Sequence, residues 1–118
     1  MITPPTFQKP LEDYIAFFEN LTARSLPLLD RYVGADIRFS DPFNTVSGAE
    51  QMKMIFEKMF EDTDRAKFRV IDSAWGRSGN VAYLRWVMHA LPKCRKNEIT
   101  IEGMSEISFG PDGKVIAH

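Results

Sequence analysis

The sequence has little of the chemistry on which several classes of protein depend. Cys94 is its only cysteine, so neither an internal disulfide nor a cysteine-rich metal cluster can form. The formal net charge is -1 and no basic stripe is present, which argues against a nucleic-acid partner. No apolar run reaches the length of a membrane span, and residues 1–10 lack the pattern of a signal peptide. We therefore expect a cytoplasmic protein that binds neither membranes nor nucleic acids.

Motifs that hold metals, phosphates or activated nucleophiles are also missing. The two histidines, His89 and His118, have no supporting ligand spacing around them, so we expect no metal site. There is no glycine-rich phosphate loop and no signature of a nucleophilic serine or cysteine. The residues therefore imply no cofactor.

Bulky apolar side chains, in contrast, are abundant. Nine Phe and six Met among 118 residues would make a bulky, adaptable core. Such a core suits a pocket for a small apolar or aromatic ligand, although the same side chains could equally well fill a small core. The length fits one domain and no linker or repeat interrupts it, so we expect a single domain over residues 1–118.

The first half of the chain predicts helices. After a proline-containing irregular leader over 1–10, apolar residues at helical spacing predict a helix over 11–21. A short second helix is expected over 25–33, where a following glycine ends it. A third helix is expected over 47–62, and its first residues have the Ser-x-x-Glu pattern of a capping box.

The second half predicts strands. One strand, over 36–41, precedes the third helix and is ended by a proline. After that helix, alternating apolar residues and turn residues predict four more strands, over 67–75, 81–91, 98–109 and 114–118. Helices followed by a meander indicate an α+β fold, in which a strongly curved antiparallel sheet wraps the N-terminal helices and leaves a pocket between them.

Three polar residues fall in rows that should face the core. Asp41 ends the inward row of its strand, Ser105 interrupts an apolar row, and Tyr14 lies on the apolar stripe of the first helix. An apolar site disfavours the charged form of a carboxyl group, and such a group can accept and donate protons. A tyrosine hydroxyl in the same cavity can donate to a developing oxyanion. Together these three residues would suit proton abstraction next to a carbonyl.

Each of these residues also has a purely structural interpretation. Asp41 precedes Pro42, and an Asp-Pro pair often only shapes a turn. Tyr14 could bury its ring with the hydroxyl at the rim of the core, and Ser105 could bond to the backbone. Hydrogen bonds to the Asp41 carboxylate from the N–H groups that follow Pro42 would favour the turn over catalysis.

The strand over 81–91 predicts which side chains face the pocket and which face outward. Its more apolar row should line the pocket, and it contains Leu84, Trp86 and Met88. We expect Trp75, Tyr83 and Val87 on the outer face, with His89 beside them. That face is partly apolar, which predicts the interface of a homodimer.

The order of these elements and three local segments resemble the nuclear transport factor 2-like superfamily, which includes ketosteroid isomerase and SnoaL-like cyclases. Residues 14–16 (Tyr-Ile-Ala) resemble the family's Tyr-Val-Ala segment. Residues 40–43 (Ser-Asp-Pro-Phe), followed by 47–48 (Ser-Gly), resemble Glu-Asp-Pro-Val and Ser-Gly of the isomerase. Residues 109–115 resemble the last hairpin of the family. The resemblance spans nearly the whole chain.

The resemblance implies a cone-shaped fold with an internal pocket, no cofactor, and a homodimer. Asp41 falls on the general base of the isomerase and Tyr14 on its oxyanion-hole tyrosine. Ser105 falls where the isomerase has a carboxylic acid that is kept neutral, so this chain departs from the pattern there. The ligand-binding residues expected from the resemblance and from the apolar rows are Phe18, Phe39, Phe43, Phe56, Leu84, Trp86, Met88 and Gly103.

Three functions are compatible with these expectations. The first is an acid–base isomerase or cyclase that acts on a small apolar carbonyl compound. The second is a domain that binds a lipid-like or aromatic ligand without chemistry. The third is a dimerising interaction module of the same fold, which the resemblance also allows.

Overall fold

The helices lie in the regions where the sequence predicts them, but their first and last residues differ from the predicted ones. The structure is a computed structural model that describes residues 6–118. It contains helix α1 (Gln8–Glu19), a 3₁₀ helix (Leu26–Arg31) and helix α2 (Ala49–Asp62). Within the described part of the chain, no helix combines the length and the apolar character that crossing a bilayer requires.

The start of α1 corrects the prediction of an irregular leader. Residues 1–5 of that leader lie outside the described range, but Gln8 to Pro10 already belong to the helix. Proline is tolerated in the first turn of a helix, because the N–H that it lacks would have no partner there. The helix then buries Leu11, Tyr14 and Phe17.

The start of α2 differs from the predicted capping box. Ser47 belongs to a short strand, and no side chain caps the helix by a hydrogen bond. Gly48 occupies the N-cap position with a φ of 102°. Because this left-handed conformation is readily adopted only by glycine, Gly48 makes the turn from strand to helix. Its N–H also donates to the carbonyl of Ile37 at 2.7 Å, which ties the turn to the sheet.

Six strands form one curved, unclosed sheet in the order β2-β1-β6-β5-β4-β3. Their bounds are β1 (Val33–Ser40), β2 (Thr45–Ser47), β3 (Thr63–Trp75), β4 (Val81–Pro92), β5 (Ile99–Phe109) and β6 (Val115–Ala117). All neighbouring strands are antiparallel except β1 and β6, which are parallel. The α+β fold with a curved sheet is therefore confirmed, with one parallel pair that the sequence did not predict.

The core lies between the helices and the concave face of the sheet. Leu11 and Tyr14 of α1, Met52 of α2, and Ile107 and Phe109 of β5 are almost completely buried. Residues of both layers thus share one hydrophobic core, which holds α1 and α2 against the sheet.

A β-bulge in β3 changes which side chains face the core. Val70 pairs with Trp86, but the next pair joins Asp72 to Arg85, so Ile71 has no partner across the strands. One extra residue reverses the alternation of side chains that follow it. Asp72 is therefore exposed on the outer face, opposite Arg85.

Because of this bulge, the placement of Trp75 on the outer face is wrong. Trp75 pairs with Ala82, which is completely buried, and directly opposed residues share a face of the sheet. The indole Nε1–H of Trp75 donates to Oε1 of Gln8 at 2.9 Å, so the side chain anchors the start of α1. The outer face keeps the other two predicted interface residues, Tyr83 and Val87.

Candidate functional site

A cavity of about 630 Å³ lies between the helices and the concave face of the sheet. Side chains from α1, α2 and strands β1, β3, β4 and β5 line it, most of them apolar. The structure brings all of the predicted ligand-binding residues to this cavity: Phe18, Phe39, Phe43, Phe56, Leu84, Trp86, Met88 and Gly103. It also brings the three predicted catalytic residues, Tyr14, Asp41 and Ser105, to the same lining.

Aromatic rings in mutual contact form much of the cavity wall. Phe18 of α1 lies 5.4 Å from Phe56 of α2 and 6.0 Å from Phe68 of β3, measured between ring centroids. Phe68 in turn lies 5.8 Å from Trp86 of β4 in an edge-to-face arrangement. Phe43, in contrast, is 92% exposed and contributes to the rim. The wall is therefore apolar and is shaped by rings whose contacts restrict their movement.

Trp86 lies over Gly103 and is held by Ser105. The indole Nε1–H of Trp86 donates to Oγ of Ser105 at 2.9 Å. A Cβ atom at Gly103 would lie 2.3 Å from the indole ring, so a side chain at this position would displace the ring. Ser105 thus positions Trp86, and because its oxygen accepts this bond, its own hydroxyl hydrogen remains free to donate.

The carboxylate of Asp41 is held by the turn that follows β1. Its Oδ1 accepts hydrogen bonds from the backbone N–H groups of Phe43 and Asn44, at 2.8 and 2.7 Å. The side-chain amide of Asn44 donates to Oδ1 at 3.1 Å and to Oδ2 at 3.2 Å. These bonds favour the turn interpretation of Asp41. They leave Oδ2 with one long hydrogen bond and remaining acceptor capacity.

Tyr14 and His118 form a hydrogen-bonded pair that the sequence did not predict. Oη of Tyr14 lies 2.7 Å from Nδ1 of His118, and both side chains line the cavity. Burial raises the pKa of the Tyr14 hydroxyl well above its usual value. Burial also lowers the pKa of His118 from 6.5 to about 4, so its imidazole is neutral at neutral pH. The predicted oxyanion donor is therefore already bonded to a second cavity residue.

His118 reaches the cavity through the parallel pairing with β1. Its N–H donates to the carbonyl of Arg38 at 2.8 Å, and its carbonyl accepts from the N–H of Ser40 at 2.9 Å. Regular alternation from the buried Val115 would direct His118 outward. The register of β6 shifts against both of its neighbours, however, and the ring lies inside, 5.1 Å from that of Phe39.

Among the described residues, the lining has one charged side chain on the concave side of the sheet. Asp41 supplies this carboxylate, whereas Glu102 is paired with Val87, so its side chain lies on the outer face. No lysine or arginine belongs to the part of the lining that the structure describes. Residues 6–118 also hold no group of three or more His, Cys, Asp or Glu side chains arranged for a metal ion. The cavity therefore offers hydrogen bonds and aromatic surface to a ligand, without a positive charge.

A second, smaller recess of about 290 Å³ lies on the far side of α1. Its lining consists of Asp13, Ala16, Phe17, Asn20, Ser25 and Tyr32. It is a shallow surface groove between α1 and the 3₁₀ helix, and it contains none of the predicted site residues. The larger cavity is therefore the candidate site.

A curved, unclosed sheet around an aromatic cavity, with polar groups supplied by α1, β5 and the turn after β1, defines a small cone-shaped α+β pocket protein. Residues 14–118 match the family model described as the SnoaL-like domain, and the chain belongs to that family. No curated protein sequence matches the chain.

Solved structures of other proteins share the fold. A nuclear transport factor 2-like protein of unknown function from Exiguobacterium sp. 255-15 superposes with a TM-score of 0.78 at 16% identity, over 92% of each chain. A protein with a ketosteroid isomerase-like fold from Catenulispora acidiphila DSM 44928, solved in complex with trimethylamine, has a TM-score of 0.75 at 13% identity. That match covers 98% of this chain and 83% of the other. Identities this low establish the fold alone.

Proposed function

We propose that this chain binds a small, mostly apolar carbonyl compound in the cavity. The observation that carries the proposal is the cavity itself, whose volume of about 630 Å³ lies within the range of small-molecule sites. Its walls are aromatic, and its few polar groups can fix the orientation of a ligand that carries one or two oxygen atoms. Membership of the SnoaL-like family supports the same class of ligand.

Trp86 allows this binding to be measured directly. It lines the cavity, whereas the other tryptophan, Trp75, packs at the start of α1. In a Trp75→Phe variant, Trp86 is the only tryptophan. Its fluorescence should change in a saturable way when an enolisable ketone that fits the cavity is added. If no compound from a panel of such ketones changes this fluorescence or shifts the cavity resonances in NMR spectra, the proposal is wrong.

An acid–base reaction is the second candidate function. The turn holds Oδ1 of Asp41, but Asp41 belongs to the lining and its Oδ2 accepts only one long hydrogen bond, so Oδ2 is the atom that could accept a proton. The Asp41 carboxylate would take a proton from the carbon next to the carbonyl, and the electron pair of that C–H bond would move onto the carbonyl oxygen. Where a C=C bond is conjugated with this enolate, return of the proton to the far carbon of that bond moves the double bond and is an isomerisation. Attack of the enolate on a second carbonyl of the same molecule, followed by protonation of the new alkoxide, is a cyclisation.

The Asp41→Asn variant separates catalysis from binding. Asparagine keeps an oxygen that can accept the N–H bonds of Phe43 and Asn44, so we expect the fold to survive. It cannot accept the proton, so turnover should fall at least a hundredfold, the order expected for loss of a general base. Exchange of the ketone's α-hydrogens with deuterated water, followed by NMR, measures this step.

Asn44→Ala is the matched control, because it removes the side-chain donor and leaves the carboxylate in place. It should retain exchange activity that Asp41→Asn loses. Equal exchange in wild type and Asp41→Asn would refute the role of Asp41 as base. Saturable binding without exchange in the wild type would leave a ligand-binding domain without chemistry.

We further propose that two copies of the chain associate through the outer face of the sheet. Tyr83 is 41% exposed there, and Val87 lies in the same row of β4, beyond Arg85. A Tyr83→Glu variant should convert a dimer into a monomer, because a charge would have to be buried at the interface. Analytical ultracentrifugation measures the change. Leu28→Glu is the matched control, since Leu28 is also 41% exposed but lies on the 3₁₀ helix. A monomeric wild type would contradict the interface.

A further inference from the structure

We propose that His118 recognises the ligand by donating a hydrogen bond from Nε2–H to an uncharged acceptor oxygen, and that Tyr14 is a positioning residue which fixes the tautomer of His118. This inference rests on the proposed binding of a ligand in the cavity and identifies the group that would orient it.

The tautomer follows from the hydrogen bonds that Tyr14 can make. Its side chain is 1% exposed, and Nδ1 of His118 is the one hydrogen-bond partner that the described residues offer its hydroxyl. A buried hydroxyl hydrogen without an acceptor would be costly, so the hydroxyl donates and Nδ1 accepts. A neutral imidazole that accepts at Nδ1 carries its proton on Nε2. Neutrality agrees with the direction in which burial moves the pKa of His118.

The Nε2–H group is accessible from the cavity. No described residue forms a hydrogen bond with Nε2, although His118 belongs to the lining. Within residues 6–118, no fully buried side-chain nitrogen or oxygen lacks a hydrogen-bond partner. Nε2 must therefore be reachable, and the imidazole that carries it has the rings of Phe18 and Phe39 as neighbours, at centroid distances of 5.6 and 5.1 Å. A donor in such an apolar place favours a ligand that brings an acceptor.

The other polar groups of the lining restrict the charge of that ligand. Around His118, α1 supplies the Tyr14 hydroxyl, the turn after β1 supplies the Asp41 carboxylate, and β5 supplies the Ser105 hydroxyl. The lining residues of α2 and β3 are apolar: Ile55, Phe56, Met59, Phe68 and Val70. A carboxylate without a counter-charge disfavours an anionic ligand. The ligand class is therefore a neutral ketone, aldehyde or similar compound whose oxygen lies at Nε2.

The tautomer can be tested on the free protein. A long-range proton–nitrogen correlation spectrum of the nitrogen-labelled chain distinguishes a proton on Nε2 from one on Nδ1. We expect the His118 proton on Nε2 in the wild type and a mixture of tautomers in Tyr14→Phe, which removes the donor to Nδ1. A proton on Nδ1 in the wild type would overturn the inference without any reference to a ligand.

Recognition can be tested with three probes of matched shape: acetophenone, α-methylstyrene, in which a methylene group replaces the carbonyl oxygen, and benzoate. His118→Asn keeps an acceptor near the position of Nδ1 and removes the donor at Nε2, whereas His118→Gln places an amide donor near Nε2. In NMR titrations, His118→Asn should weaken acetophenone binding about tenfold and change α-methylstyrene binding by less than about twofold. His118→Gln should restore most of the acetophenone affinity, and benzoate should bind most weakly throughout.

The probe titrations distinguish failure of the His118 inference from failure of the proposed function. Equal losses for acetophenone and α-methylstyrene in His118→Asn would show that His118 only packs, and would overturn the inference while leaving the cavity as a binding site. Benzoate binding as tightly as acetophenone would overturn the charge selectivity. If none of the probes bound the wild type even at their solubility limits, the proposed function would be overturned together with the inference.

Discussion

Replacing Trp86 with alanine should lower the free energy of unfolding by about 3 kcal/mol, the low end of the range for a large aromatic side chain that packs on a core. The low end applies because one face of the indole ring lines the cavity. The ring contacts Phe68, covers Gly103 and donates to Ser105, and the variant loses all three interactions. The cavity should become larger and admit bulkier ligands.

Urea denaturation followed by circular dichroism measures this loss. Trp86→Phe is the matched control, because it keeps an aromatic ring and removes the donor to Ser105. We expect it to cost about 1 kcal/mol, mostly through the lost hydrogen bond. An alanine variant as stable as the wild type would show that the indole makes no net contribution to packing.

Acidification should destabilise the wild type more than a His118→Asn variant, by about 3 kcal/mol between about pH 7 and about pH 4. The histidine has a pKa of about 4 in the folded chain and about 6.5 in the unfolded chain. Between these values the unfolded chain binds the proton and the folded chain does not. The free energy of unfolding therefore falls as the pH falls through this interval.

The variant isolates this contribution because asparagine does not titrate, whereas every carboxylate is common to both proteins. The measurement is the free energy of unfolding in urea at several pH values in that interval. Above about pH 7 the two pH profiles should run parallel, since His118 is neutral in both states of the chain. Profiles that remained parallel down to about pH 4 would show that the imidazole is not desolvated.

The elements of the fold were predictable because their signals are local. The apolar spacing of 11–21 predicted α1, and the alternation over 81–91 predicted both the bounds of β4 and its inner row. Gly48 was harder to anticipate, because Ser47 and Glu50 satisfied the capping-box pattern although Ser47 lies in β2. Only the backbone conformation at Gly48 shows which residue begins the helix.

The incorrect placement of Trp75 and the unpredicted inward position of His118 have one physical cause. Alternation predicts the direction of a side chain only while the strand stays in register with its neighbours. An extra residue at Ile71 and the register shifts of β6 reverse the direction beyond them. The sequence has no marker for either irregularity, and the partner of His118 is 104 residues away at Tyr14.

The predicted site residues were brought together, but their hydrogen bonds were not foreseen. Asp41, Tyr14 and Ser105 line one cavity because their rows face the concave side of the sheet and α1. Each has a partner that lies elsewhere in the fold or in a turn: Asn44, His118 and Trp86 respectively. Such pairings depend on side-chain positions that differ by fractions of an ångström, which spacing along the chain does not encode.

The bulge at Ile71 divides β3 into two segments with separate tasks. Before it, Phe68 and Val70 line the cavity, and after it, Trp75 stacks near Phe109 and holds α1 through Gln8. Because Phe68 also meets Phe18 of α1, substitutions in the first segment would change the ligand compartment together with the packing of the middle of the helix, while Trp75 would still hold its start. One strand thus carries a variable contact and a fixed anchor for the same helix, which gives a lineage of such proteins a way to change ligands while its architecture is preserved.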